Sequence, residues 1–136
     1  MRPLRCLVVD DDELGRELLI LNLRGIARCE TAVNGREALD KYCANVDSNP
    51  YDLIILDIIM PEMDGNEAAK TIRRMEMERG LTADRGVNII VLSSLNTPHE
   101  IIKSYVSTQS SAHMVKPLDA EKLKKTLRKL GLIPEV

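Results

Sequence analysis

Five short segments with the character of strands, each followed by a segment of polar or helical character, constrain the fold of this chain more than any other feature. Four are mainly apolar and lie at residues 4–9, 51–56, 88–92 and 112–115, and a weaker one lies at residues 27–33. After the first run, Leu14, Leu18 and Leu21 recur with helical spacing, which predicts the apolar face of a helix. Strands that are apolar throughout and alternate with helices are typical of a parallel sheet covered on both faces. The sequence therefore predicts an α/β fold with a doubly wound, five-stranded parallel sheet.

Side chains that can cap a helix mark the starts of the segments between the strands. The predicted N-caps are Asp12, Asn34, Asp64, Thr97 and Asp119. Glu37, three residues after Asn34, completes the pattern of a capping box. Asp12 could instead act as a metal ligand, but capping is the preferred interpretation. Gly25 and Gly131 stand where the first and last helices are expected to end.

The charge balance and the aromatic content of the chain disfavour some classes of function. The chain has 136 residues, of which 44% are hydrophobic and 29% charged, so one globular domain over residues 1–136 is the simplest interpretation. The formal charge of −2, from 19 Lys and Arg against 21 Asp and Glu, disfavours a nucleic-acid or anionic-membrane binder. Phe and Trp are absent and only three Tyr occur, which disfavours stacking on nucleic-acid bases.

The cysteines and the N-terminus bear on the cellular compartment. Cys6, Cys29 and Cys43 are an odd number and form no CxxC pair, which favours free thiols in a reducing cytosol. No apolar run reaches the ~18 residues of a membrane span. The N-terminal residues lack the features of a signal peptide. We therefore expect a cytoplasmic protein without membrane association.

Polar side chains stand where four of the five predicted strands end. Asp10 and Asp11 follow the first strand, Asp57 the third, Ser93 the fourth and Lys116 the fifth. In open parallel sheets, ligands bind beyond the carboxyl ends of the strands. We therefore expect these side chains to meet at one edge of the sheet, with Asp57 exposed at the mouth of its strand.

This set of side chains has the chemistry needed for phosphoryl transfer. Three neighbouring carboxylates repel one another unless a cation lies among them. A small set of oxygen ligands, with room for water and phosphate, suits Mg²⁺. A carboxylate can also act as a nucleophile and form an aspartyl-phosphate. Lys116 could pair with phosphoryl oxygens and Ser93 could donate a hydrogen bond to one, so the set predicts transfer onto Asp57.

Four segments together resemble the receiver domain of the two-component response regulator family. They are LVVDDD (7–12), LIILDIIMPEMDG (53–65), NIIVLSS (88–94) and VKP (115–117). The resemblance extends from Leu4 to about Leu130. It implies a flavodoxin-like (βα)5 fold with strand order 2-1-3-4-5.

The resemblance also implies residue roles at the predicted site. Asp57 becomes the phospho-acceptor. Asp10, Asp11 and Asp57, together with the backbone carbonyl of Ile59, become the ligands of Mg²⁺. Lys116 and Ser93 become the residues that contact the phosphoryl group. Ser94 would replace Ser93 if the end of the fourth strand were shifted by one residue.

The family further implies a phosphorylation switch. A histidine kinase or histidine phosphotransfer protein would supply the phosphoryl group, and the surface of the fourth helix and fifth strand would change in response. Such a domain catalyses its own modification and is not a turnover enzyme. We expect a monomer or weak homodimer with an unknown downstream protein target. The alternatives are a metal-dependent hydrolase and a protein-binding module that is not phosphorylated.

Three residues depart from the usual family pattern. His113 stands where the family usually has Tyr or Phe in the fifth strand, which puts the usual aromatic readout in question. Ile59 and Leu95 lie two residues beyond Asp57 and Ser93, where the family controls access of water to the phosphoryl group. Both side chains are apolar and cannot orient an attacking water, so we expect slow autodephosphorylation.

Overall fold

A computed structural model describes residues 3–57, 65–81, 86–93, 98, 102, 109–116 and 118–134. The strands are β1 (Leu4–Val9), β2 (Ala27–Ala32), β3 (Leu53–Asp57), β4 (Asn88–Ser93) and β5 (Ala112–Val115). The helices with complete bounds are α1 (Glu13–Asn22), α2 (Gly35–Asn45), α3 (Gly65–Glu78) and a C-terminal helix (Ala120–Lys129). The helix predicted to begin at Thr97 falls largely outside the described residues. Each predicted strand agrees with the observed one to within two residues at either end.

The five strands form one parallel sheet in the order β2-β1-β3-β4-β5. This order confirms the predicted doubly wound, flavodoxin-like fold. Val9 is opposite Leu56 in the β1–β3 pair, and Asp57 is opposite Leu92 in the β3–β4 pair. Because all these strands run in the same direction, the residues that follow them emerge at a common edge of the sheet.

The sheet separates two hydrophobic cores. Ile54 and Leu56 face one core with residues of α2 and α3, whereas Leu53 and Ile55 face the other with residues of α1 and the C-terminal helix. Successive side chains of a strand point to opposite faces. A strand that is covered on both sides must therefore be apolar at every position, which explains the continuous apolar runs in the sequence.

The helix α1 packs on a different face from the one that its spacing predicted. Leu14, Leu18 and Leu21 are exposed, with 61%, 48% and 56% of their surface accessible. Leu19 within α1 and Leu23 just after it are buried instead. The segment carries leucines on more than one side, so spacing alone could not identify the buried face. The predicted helix is confirmed, but the three leucines whose spacing indicated it do not face the core.

Three of the predicted helix caps are confirmed. The Asp12 carboxylate accepts the Gly15 N–H, the Asn34 side chain accepts the Glu37 N–H, and Asp119 accepts the N–H groups of residues 121 and 122. Asp64 and Thr97 lie outside the described residues. Gly131 follows Leu130, the C-cap of the C-terminal helix, and has φ +75°, a conformation that disfavours side chains with a Cβ.

Within the described part of the chain, none of the helices combines the length and the apolar character needed to cross a membrane. The thiols of Cys6, Cys29 and Cys43 are free.

Candidate functional site

Three carboxylates meet at the carboxyl edge of the sheet. Asp10 and Asp11 directly follow β1, and Asp57 is the last residue of β3. The pairing of Val9 with Leu56 brings the next residue of each strand side by side. One carboxylate oxygen from each of Asp10, Asp11 and Asp57 lies within 4.8 Å of the other two. The structure thus brings the three predicted aspartates into one acidic cluster.

Lys116 supplies a positive charge to this cluster. Its backbone N–H donates to the Ser93 carbonyl at 2.8 Å, and its Nζ donates to Asp57 Oδ2 at 2.8 Å. Partial burial acts to lower the pKa of Lys116, but the hydrogen bond to Asp57 and the nearby carboxylates outweigh it and raise the pKa. The ammonium therefore stays charged beside the predicted phospho-acceptor.

Asp57 is more enclosed than the sequence suggested. It lies at the end of its strand as predicted, yet only 8% of its surface is accessible. The expectation of an exposed carboxylate was wrong. Lys116 binds one of its oxygens, and Asp10, itself 2% accessible, stands beside it. In contrast, Asp11 is exposed and leaves the cluster open on its side.

Hydrogen bonds hold Asp10 through both its carboxylate and its backbone carbonyl. Its Oδ1 accepts the Asp12 N–H at 2.9 Å, and its backbone carbonyl accepts a hydrogen bond from Arg16 Nη1 at 2.8 Å. Burial raises the pKa of Asp10. The hydrogen bond from the Asp12 N–H and the charge of Lys116 act to lower this pKa, but they offset the effect of burial only in part. A cation bound at this cluster would stabilise the ionised form of the carboxylate.

Ser93 lies at the end of β4 and is buried, one residue beyond Leu92, the partner of Asp57 in the sheet. This places Ser93 at the same edge as the acidic cluster, and its contact with a phosphoryl group stays a prediction. The predicted metal ligand Ile59 and the alternative Ser94 lie outside the described residues. His113 is half-buried in β5, opposite Val91.

A cavity of about 440 Å³ opens beside the acidic cluster. Asp10, Asp12 and Lys116 form its polar side. Its apolar lining consists of Leu14, Leu18, Leu19, Leu92 and Leu118, and Gly15 also lines it. The exposed leucines of α1 therefore continue directly into the predicted site.

The donor atoms of the cluster fit Mg²⁺. Each of the three residues offers a carboxylate oxygen, and Lys116 binds Asp57 through Oδ2. Hard divalent cations prefer oxygen ligands, and Mg²⁺ usually keeps several waters beside one or two carboxylates. The exposed position of Asp11 and the adjoining cavity leave room for those waters.

The sequence interpretation missed two residues of the site. Gly15 lies against the Asp10 carboxylate, and Arg16 binds the Asp10 backbone carbonyl. A signal for Gly15 was present, because a glycine in the first turn of a helix disfavours the helix and calls for a reason in the packing. No comparable signal marked Arg16, since an arginine on a helix is ordinary.

Similarity to known proteins extends over nearly the whole chain. A family model described as "Response regulator receiver domain" matches residues 6–128. Chemotaxis protein CheY of Treponema pallidum (strain Nichols) is 33% identical over 123 residues, which are 89% of this chain and 78% of that protein. Histidine kinase CKI1 of Arabidopsis thaliana is 31% identical over 130 residues, which are 88% of this chain but 11% of the kinase.

Comparison with solved structures also shows similarity to a receiver domain. The crystal structure of the receiver domain of histidine kinase CKI1 from Arabidopsis thaliana complexed with Mg²⁺ matches with a TM-score of 0.81 and 28% identity. The match covers 93% of this chain and 91% of that one.

Proposed function

Because the chain belongs to the response regulator receiver domain family, we propose that it accepts a phosphoryl group on Asp57 and acts as a switch in a two-component or phosphorelay system. One observation carries the proposal. Asp10, Asp11 and Asp57 form a single acidic cluster, and Lys116 Nζ lies 2.8 Å from Asp57 Oδ2. This combination of three carboxylates and one ammonium suits transfer of a negatively charged group to a carboxylate.

In the proposed reaction, an oxygen of Asp57 attacks the phosphorus of a phosphohistidine. The new O–P bond forms as the N–P bond breaks, and the imidazole of the donor leaves. Asp10, Asp11, Asp57 and the Ile59 carbonyl would hold Mg²⁺, which when bound would neutralise charge on the phosphoryl oxygens. Lys116 already stands at Asp57, so its ammonium can bind a phosphoryl oxygen of the product without a large movement.

The product would change the surface of the domain. A phosphoryl group adds charge and hydrogen-bond acceptors at Asp57. Ser93 ends the neighbouring strand β4, and the segment that follows it leads to the helix predicted at Thr97. We infer that the Ser93 hydroxyl moves toward the phosphoryl group and shifts this helix against β5. His113 stands in β5 at the position of the usual aromatic ring, so the part of the readout that depends on that ring stays in question.

The phosphoryl donor would be a histidine kinase or a histidine phosphotransfer protein. Leu14 and Leu18 are exposed on α1 and line the same cavity as Asp10 and Lys116. Leu21 extends this apolar face along the helix. A donor must bring its phosphohistidine to Asp57, and a surface continuous with the acidic cluster is where it would make contact. Exposed apolar patches of this kind mark interaction sites.

Several properties of the protein form part of the same proposal. Residues 1–136 would form a single receiver domain that is a monomer or weak homodimer in the cytoplasm. It would bind neither nucleic acid nor membranes directly, and its output would be a contact with a downstream protein. It would catalyse its own phosphorylation and dephosphorylation without acting as a turnover enzyme.

Incubation with acetyl phosphate and Mg²⁺ tests the proposal. We expect the wild type to gain one phosphoryl group, measured by intact mass and removed by hydroxylamine. Asp57→Asn should gain none, whereas Asp40→Asn, at an exposed position of α2, should behave like the wild type. Continuous release of phosphate from the donor would indicate a hydrolase instead. Absence of any label would indicate a module that is not phosphorylated.

A further inference from the structure

Cys6 and Cys29 lie side by side on two neighbouring strands. They are register partners in the parallel β1–β2 pair. Both residues belong to the core on the side of the sheet that α1 covers, where Cys6 is fully buried and Cys29 is partly buried against it. Register partners that face the same side of a sheet bring their side chains together. The two thiols therefore form a pair, whereas Cys43 is exposed on α2.

The spacing of the two residues suits a disulfide bond. Neighbouring strands lie about 4.8 Å apart, and the Cα atoms of bridged cysteines usually lie about 4.4–6.8 Å apart. The Cβ atoms of a disulfide are closer together, at about 3.8 Å, so the two strands must approach each other slightly as the bond forms. The strand β2 lies at the end of the strand order, beside β1, and an edge strand can make such a movement without displacing the centre of the sheet.

The two thiols differ in their surroundings. Cys6 has none of its surface accessible, whereas Cys29 is partly accessible to solvent. The hydrogen bond between the thiols, together with burial, raises the pKa of Cys6 well above its usual value. The same hydrogen bond lowers the pKa of Cys29, against the opposing effect of its partial burial. Cys29 is therefore the thiol that ionises first, and a thiolate is the reactive form of cysteine.

We propose that Cys6 and Cys29 form a redox-sensitive pair, which hydrogen peroxide converts into a disulfide bond. In the first step, the Cys29 thiolate attacks one oxygen of the peroxide, the O–O bond breaks, and Cys29 becomes a sulfenic acid. The hydroxide that leaves takes up the proton that Cys29 lost. In the second step, the Cys6 sulfur attacks the Cys29 sulfur, the S–O bond breaks, and the hydroxyl group leaves with the Cys6 proton as water. Two thiols are thus oxidised to one disulfide, and the peroxide is reduced to two molecules of water.

This inference goes beyond the proposed function and does not depend on it, because neither thiol belongs to the acidic cluster. The free thiols of the structure correspond to the reduced form. An accessible, readily ionised thiol beside a second thiol is typical of redox sensors. In a reducing compartment, disulfides that form are usually transient and serve catalysis or redox sensing. The bond would join the strands before and after α1, and the closed loop would contain Asp10 and Asp11.

Treatment of the reduced protein with hydrogen peroxide, followed by intact mass and peptide mapping without a reductant, tests the inference. We expect the intact mass to fall by the mass of two hydrogen atoms. The peptide map should contain one cross-linked pair of peptides, which holds Cys6 and Cys29. Dithiothreitol should restore the original mass. Cys43→Ser, which removes the exposed thiol of α2, should match the wild type in each assay.

Two further variants, each made in the Cys43→Ser protein, separate the two steps. Cys29→Ala should keep its mass under peroxide, because the remaining thiol of Cys6 is buried. Cys6→Ala should accumulate a sulfenic acid at Cys29, which dimedone traps, because no second thiol remains to react with it. Circular dichroism before the treatment checks that each variant is folded.

The peptide map of the wild type decides the inference even where a variant fails to fold. An unchanged mass under peroxide would overturn the redox pair. A disulfide that contains Cys43 or joins two copies of the chain would also overturn it, as would a sulfinic acid at Cys29 beside a reduced Cys6. None of these results would bear on the labelling of Asp57 by acetyl phosphate, which tests the proposed function separately.

Discussion

Lys116 Nζ lies 2.8 Å from Asp57 Oδ2, although the strands that bring the two residues to the edge of the sheet are not neighbours. Asp57 ends β3, Lys116 follows β5, and β4 lies between them. The lysine side chain must therefore reach across two inter-strand spacings of about 4.8 Å each. A long, flexible side chain is required at position 116 to bring a cation to Asp57.

Replacement of this cation should make the fold more dependent on Mg²⁺. Lys116→Met leaves three clustered carboxylates without their ammonium, so the metal-free protein should lose about 1 kcal/mol of stability. Added Mg²⁺ should stabilise this variant more than it stabilises the wild type. Thermal unfolding with and without Mg²⁺ measures both effects. Lys122→Met, on the exposed side of the C-terminal helix, serves as the control, and equal Mg²⁺ effects in both variants would contradict the prediction.

The rate of phosphorylation by a protein donor should depend on the exposed leucines of α1, whereas the rate with a small-molecule donor should not. Leu18→Ala removes apolar contact area beside the acidic cluster without changing charge. The donor for this test is a histidine kinase or phosphotransfer protein that labels the wild type. With Leu18→Ala as the acceptor, we expect the rate of phosphotransfer from this donor to fall about tenfold. The rate with acetyl phosphate should not change. Met77→Ala, at an exposed position of α3 with 67% accessibility, is the matched control. Slowing with both donors would argue against a docking surface.

Gly86→Ala should destabilise the protein. A Cβ at position 86 would lie 2.1–2.2 Å from the carboxylate group of Glu76. That carboxylate is buried and accepts bonds from Arg73 Nη1 at 2.6 Å and the Val87 N–H at 2.7 Å, so it cannot move freely. Overpacking of this kind costs about 1–3 kcal/mol. Urea unfolding measures the loss, and a stability equal to that of the wild type would refute the argument.

Tyr51 should give the protein a characteristic alkaline sensitivity. Burial and a hydrogen bond to Glu30 Oε1 raise the pKa of Tyr51 to about 12. A raised pKa means that the protonated phenol stabilises the fold. This contribution is complete below pH 10 and is lost as the pH rises toward about 12.

Tyr51→Phe tests that dependence. The variant should be less stable near neutral pH by about 1 kcal/mol, because the bond to Glu30 is lost. It should then lose less stability than the wild type between pH 10 and about 12. Urea unfolding across this range makes the comparison. Parallel losses in the two proteins would mean that other groups control the alkaline transition.

Slow autodephosphorylation stays a prediction from the sequence, because Ile59 and Leu95 lie outside the described residues. Neither side chain can orient a water for attack on the phosphoryl group. The double variant Ile59→Asn, Leu95→Glu should lose phosphate faster than the wild type after removal of the donor. Following the label over time provides the measurement, and equal rates would count against the idea.

Much of the fold and of the candidate site could be predicted from local patterns. Continuous apolar runs indicate strands buried on both faces, and the caps Asp12, Asn34 and Asp119 indicate where helices begin. Polar residues directly after such strands predict a site at the carboxyl edge, which is where Asp10, Asp57 and Lys116 lie. The strand order and the family came from the resemblance of four motifs, and both are confirmed.

The sequence by itself thus determined the alternation of strands and helices and the edge at which the polar residues meet, because each of these depends on neighbours along the chain. Only the tertiary structure decided which side of α1 packs on the sheet, how deeply Asp57 is buried, and that Gly15 touches Asp10. These features depend on the rotation of a helix and on distances between separate segments. Such quantities are set by packing of the whole fold, and no spacing within one segment encodes them.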